Sequence, residues 1–206
     1  MYNVPKLYNK RLIFQGNSLL DTNLNHTLNN QKYVTLTLFS NIKGSYPKLS
    51  LVDYSISGQD QVQINTAMTS HFTAGQCNPQ DVVVIWEGTN NLAHYPSKTG
   101  ATAFSELQTF ITHVSQFTSK IIVCTTIARD LAADPSDLMT RIGDYNTLIR
   151  ANYSGNNLCD LASNSNFDAR ADCSNTTYYD TDKLHLVQTG QDLIISLLTT
   201  SITDIL

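Results

Sequence analysis

Residues 81–86 read Asp-Val-Val-Val-Ile-Trp, a continuous β-branched run with Gln80 before it and Glu87 after it. A strand that is apolar on every successive residue has no side to turn toward water. It reads as an interior strand, covered on both faces. Helices are the usual cover, and the rest of the chain supplies them.

Apolar runs and helical patterns alternate along the sequence. Arg11–Gln15, Leu49–Tyr54, Lys120–Thr126 and Leu158–Ala162 read as four further strands. Ala101–Thr118 is the clearest helix: Phe104, Leu107, Phe110, Ile111, Val114 and Phe117 follow the i, i+3, i+4 rule. Gln59–Phe72 and Val187–Ile202 also read as helices. Pro135–Tyr153 does too, with Asp134 as the expected N-cap and Pro135 at the first helical position. Gln31–Ile42 fits a helix or an irregular segment, because its β-branched residues weaken the helical reading. This alternation implies a five-stranded parallel sheet with helices on both faces. No linker, repeat or low-complexity tract divides it, so one domain over residues 1–206 is expected.

Composition removes several classes of function. Charged residues make up 15% of the chain, against roughly 25% in an average domain. The net charge of −4 leaves no basic face, so no nucleic-acid partner is expected. No run of 18 apolar residues occurs, so no membrane span is expected. Met1–Arg11 lacks the apolar core of a signal peptide. The polar, low-charge composition points to an extracellular or phage-borne setting over a cytoplasmic one.

Four cysteines are present, at 77, 124, 159 and 173. No pair has metal-site spacing, so no metal is expected. Cys124 falls in a strand and reads as a buried thiol. Cys159 and Cys173 bracket a polar loop, and spacing leaves open either a bridge between them or free thiols.

Ligands of open parallel sheets bind beyond the carboxyl ends of the strands. Ser18, Gly58 and Asn90 each follow a predicted strand, so the topology gathers them at one edge. A serine hydroxyl becomes a nucleophile only when a base takes its proton. Of the five histidines, only His185 has a carboxylate, Asp182, at a spacing that holds one ring nitrogen and leaves the other for the serine. His94 follows the Gly88 turn and could border the site, whereas His113 falls on the polar side of its helix. Ester attack places negative charge on the carbonyl oxygen. The backbone N–H groups of Ser18 and Gly58 and the Asn90 amide are the candidate donors for it. Taken singly, each of these residues also fits an ordinary turn or cap.

The four segments Gly16-Asn17-Ser18-Leu19, Ser57-Gly58, Gly88-Thr89-Asn90-Asn91 and Asp182-Lys183-Leu184-His185 resemble, in order, the four blocks of the SGNH (GDSL-type) hydrolases. The resemblance spans Gly16–His185. It implies a flavodoxin-like three-layer αβα sandwich, and a serine esterase that works without a cofactor. It further implies Ser18 as nucleophile, Asp182 and His185 as the supporting pair, and Ser18, Gly58 and Asn90 as the oxyanion hole. Two positions depart from the family pattern. Asn17 and Asn91 stand where the first and third blocks usually carry aspartate.

Polar loops at Thr22–Gln31 and Asn156–Tyr179 suit a hydroxylated ligand better than a long acyl chain. The expected substrate is a small-molecule or carbohydrate ester with a short acyl group, such as acetyl. A thioesterase or lysophospholipase-like activity is the next reading. A sugar-binding module without turnover is disfavoured by the intact Ser18, Asp182 and His185. A nucleotide or phosphate binder is disfavoured by the single glycine in the first turn.

Overall fold

The computed structural model describes residues 9–22 and 34–206. Its sheet has five parallel strands: β1 (Arg11–Gly16), β2 (Ser50–Asp53), β3 (Val82–Trp86), β4 (Ile121–Cys124) and β5 (Leu158–Cys159). Their spatial order is β2-β1-β3-β4-β5, the flavodoxin-like order. The expected three-layer α/β architecture is borne out.

Strand alternation divides the interior into two cores. Leu12, Phe14, Val82, Val84, Trp86, Ile122 and Cys124 face one side. Ile13, Val83, Ile85, Ile121 and Val123 face the other. Helices α1 (Val34–Lys43) and α6 (Gln188–Ile205) pack together over the first face. Helices α2 (Gln61–His71), α4 (Gly100–Val114) and α5 (Leu138–Asn152) cover the second. A six-residue helix, α3 (Thr89–His94), follows β3 directly.

Local chemistry explains where these elements differ from the sequence reading. Residues Val34, Leu38 and Ile42 recur every fourth position and are buried. That stripe makes α1 a helix despite its β-branched content; residues 31–33 of the expected segment lie outside the described residues. Asp60 caps α2 through a full capping box with Gln63, so the helix begins two residues later than expected. The expected start of α5 is wrong by three residues. Asp134 does not cap it, because its carboxylate binds Arg129 at 2.8 and 3.0 Å and the Leu131 N–H at 2.8 Å. Pro135 lies in the turn ahead of the helix, and Asp137 occupies the N-cap position. The expected fifth strand keeps only Leu158–Cys159; Leu161–Ser163 is a 3-10 turn.

All four cysteines are free thiols. A bridge between Cys159 and Cys173 is therefore not formed. Register places Cys159 beside Cys124 instead, while Cys173 is buried among Phe167, Tyr179 and the other residues of the α1/α6 core.

Candidate active site

The parallel register sets the stage. Gly16 of β1 pairs with Trp86 of β3, so the next residues, Asn17 and Glu87, leave the sheet side by side. A Cβ on Gly16 would lie 2.8 Å from the Trp86 carbonyl and 2.9 Å from Leu20, which restricts the position to glycine. The chain then turns tightly. The Asn17 carbonyl accepts from the N–H groups of Leu20 and Asp21, both at 3.0 Å. The Asn17 side-chain oxygen accepts from the Leu19 N–H at 3.1 Å. Ser18 is thereby presented at the rim of the sheet, half-buried.

The opposite wall comes from the far end of the chain. Residues 179–186 form a pinned loop between a Tyr179–Leu186 bridge and the start of α6. The Asp182 carboxylate accepts from the backbone N–H groups of Leu184 and His185, both at 2.9 Å. Lys183 between them has φ of +60°, an uncommon conformation for a bulky residue. Its carbonyl and its ammonium group are both held by Asp130.

These two segments meet. His185 Nε2 lies 3.0 Å from Ser18 Oγ, and its Nδ1 lies 2.6 Å from Asp182 Oδ2. Burial alone would raise the Asp182 carboxyl. The bonds from the His185 ring and from the Leu184 and His185 N–H groups outweigh it, holding the carboxyl well below the usual range. The ionised form of Asp182 is thus favoured at the site.

Gly58 and Asn90 are tied to the same rim. Gly58 has φ of +76° and a clear space where a Cβ would point, so conformation and not crowding favours glycine there. The Ile56 N–H donates to the Gly16 carbonyl at 3.2 Å and the Ser57 N–H to Asp21 at 2.7 Å. These bonds lay the Gly58 turn against the Ser18 turn. Asn90 Nδ2 donates to the Gln59 carbonyl at 2.9 Å. Its Oδ1 receives Arg129 Nη1 at 3.4 Å, and Arg129 is in turn paired with Asp134 at 2.8 Å. One amide hydrogen of Asn90 is thus committed, and an amide carries two.

The two departures from the family pattern each have a nearby acid. Asn17 Nδ2 donates to Glu87 Oε2 at 2.8 Å. Asn91 Nδ2 donates to Glu106 at 2.8 Å, and Lys98 bridges Asn91 Oδ1 and Glu106. The sequence reading missed Glu87, although it is the acid directly after the most apolar strand. Arg129, Asp134 and Glu106 carried no such signal.

The other histidines lie apart from this chain of bonds. His94 sits exposed at the end of α3. The His113 ring is half-buried rather than surface-polar, with Nε2 at 2.9 Å from the Phe72 carbonyl. His71 stacks on Tyr54. His26 and most of the Thr22–Gln31 loop lie outside the described residues.

An all-parallel sheet in this order, with a hydroxyl, an imidazole and a carboxylate joined at its carboxyl edge, defines the class of three-layer α/β hydrolases. Within that class the chain belongs to the GDSL-like Lipase/Acylhydrolase family, whose profile matches residues 17–193. It is accordingly a carboxylic ester hydrolase, as the four sequence blocks implied. Curated protein sequences give no match. Solved structures share the fold at low identity. A lipase/acylhydrolase from Enterococcus faecalis aligns with a TM-score of 0.70 and 17% identity, over 95% of this chain and 96% of that one. A GDSL-like lipase from Parabacteroides merdae gives 0.68 and 19%, over 96% and 97%. A catalytic mutant of an acetylxylan esterase from Geobacillus stearothermophilus gives 0.68 and 14%, over 94% of each chain.

Proposed function

We propose that the protein hydrolyses short-acyl esters, acetyl esters of carbohydrates above all, through a Ser18 acyl-enzyme. The observation that carries this reading is the continuous path from Ser18 Oγ to His185 Nε2 at 3.0 Å and from His185 Nδ1 to Asp182 at 2.6 Å. His185 takes the Ser18 proton as Oγ attacks the ester carbonyl. The resulting oxyanion is held by the N–H groups of Ser18 and Gly58 and the second amide hydrogen of Asn90. Collapse expels the alcohol, which receives the proton from His185. Water, activated by the same imidazole, then releases the acid and restores Ser18. Asp182 remains a carboxylate throughout and steadies the ring.

The acyl and alcohol preferences rest on surface chemistry. Ser174, Asn175, Thr176 and Thr177 are exposed just ahead of the Asp182–His185 loop. Such hydroxyls and amides match the hydroxyls of a sugar. The likeness to an acetylxylan esterase agrees in kind.

The test is kinetic. Ser18→Ala should lower kcat on p-nitrophenyl acetate by roughly 10⁴–10⁶-fold while leaving the thermal midpoint near that of the parent. Full turnover in this variant would overturn the assignment. A p-nitrophenyl series from C2 to C12, with acetylated xylan beside it, should peak at C2. A maximum at C8 or beyond would favour a lysophospholipase-like activity instead.

A further inference from the structure

Among the described residues, Glu87 is a buried acid that the mechanism above does not use. Glu87 closes β3 and is 2% exposed. Its neighbour across the sheet, Asn17, is 1% exposed, and the residue after Asn17 is Ser18. We propose that Glu87 is a positioning residue for ester hydrolysis, holding the Ser18 hydroxyl in line with His185 through the side chain of Asn17.

Both ends of this connection are fixed. Asn17 gives its Nδ2 to Glu87 Oε2 and takes the Leu19 N–H on its Oδ1, so its amide spans from Glu87 to the Ser18 turn. The Glu87 backbone is anchored from the other side. Its carbonyl accepts from Thr126 Oγ1 at 2.7 Å, and Thr126 exchanges two bonds of 2.8 Å with the Asn146 amide of α5. A row of hydrogen bonds therefore crosses the sheet edge from the nucleophile turn to a helix packed on its far side. A rotation of the Asn17 amide would release the Leu19 N–H that closes the turn around Ser18, and misplacement of a reacting group by about 1 Å can cost 100-fold in rate.

The chemistry of the acid supports the same role. Burial raises the Glu87 carboxyl from its ordinary 4.5 to about 8. The bond from Asn17, the Gly88 N–H and the charge of Arg129 lower it, and Asp60 at the N-cap of α2 raises it further. Tyr145 of α5 also faces it and stays protonated. At neutral pH the group is a neutral acid. Ionisation would set a negative charge beneath the edge where the oxyanion forms, opposing its development.

This inference rests on the Ser18 reading, and its test separates the two. The parent kcat on p-nitrophenyl acetate should fall as pH rises through about 8. Glu87→Gln keeps an acceptor for Asn17 and cannot ionise. It should hold kcat within about threefold at pH 7 and lose the alkaline fall. Glu87→Ala should lower kcat by about 10- to 100-fold with KM nearly unchanged. Asn17→Asp faces two carboxyls in one buried site. It should lose activity to a similar degree, and the double variant Asn17→Asp, Glu87→Gln should recover most of it. An alkaline limb that persists in Glu87→Gln overturns the proposal, as does a double variant no better than Asn17→Asp. If those results appear while Ser18→Ala is inactive, only the role of Glu87 falls.

Discussion

In the proposed mechanism Asn90 is a donor to the oxyanion, and its side chain is held in place before any substrate arrives. Arg129 holds its oxygen and the Gln59 carbonyl holds one of its hydrogens, so the remaining N–H has a fixed direction. Such preorganised donors contribute most in the transition state, where the oxygen carries its charge. Asn90→Ala should therefore lower kcat by roughly 10²–10³-fold with little change in KM. Steady-state kinetics on p-nitrophenyl acetate check it; a loss confined to KM would make Asn90 a substrate-binding group. The residues that hold Asn90 were not legible in the sequence. Arg129 lies 39 positions away, and nothing in local spacing announces that a loop arginine after β4 will return to the turn after β3. Ser18, Asp182 and His185, the residues the proposed mechanism uses, were readable because four short blocks occur in a fixed order, although each block alone also fits a turn.

Among the elements, the turn from β3 into α3 is the most constrained. Gly88 has φ of +118°, and a Cβ there would lie 2.5 Å from the Tyr145 ring and 2.6 Å from Thr126 Oγ1. Strain and overlap act together, so Gly88→Ala should destabilise the fold by about 2–4 kcal/mol. Urea unfolding followed by circular dichroism measures this, and an unchanged midpoint would show that the turn can relax. Strand positions were readable for a simple reason: β3 is apolar on both faces, and only a sheet interior accepts that. Helix starts were less readable. The Asp134-Pro135 pair has the composition of a helix start, but a buried arginine competes for the carboxylate. Neutralising Arg129 at 3% side-chain exposure matters more than a cap, which contributes about 1 kcal/mol, because an unpaired buried charge costs about 3–5 kcal/mol. Asp134 therefore serves the ion pair and the helix starts at Leu138.

At the scale of the whole molecule, topology does what no single block can. The strand order reverses between β1 and β3, so their carboxyl ends open a crevice. The first turn and the last loop, 167 residues apart, meet across it. The sequence reading drew the parallel sheet from alternation and the flavodoxin-like fold from the family resemblance, but it left the cysteines unresolved, since sheet register and not chain spacing decides which thiols are neighbours. All four should react with Ellman's reagent in denaturant without reductant, whereas in the native fold only Cys77, the least buried, should react quickly. Finding two thiols in denaturant would restore a disulfide. The central claim, that Ser18 is the hydrolytic nucleophile, is tested most directly by covalent capture. A fluorophosphonate should inactivate the enzyme with one adduct per chain. Peptide mass mapping should place it on Ser18, and the labelling rate should collapse in His185→Ala. An adduct on another residue, or full inactivation with Ser18 unmodified, would contradict the account.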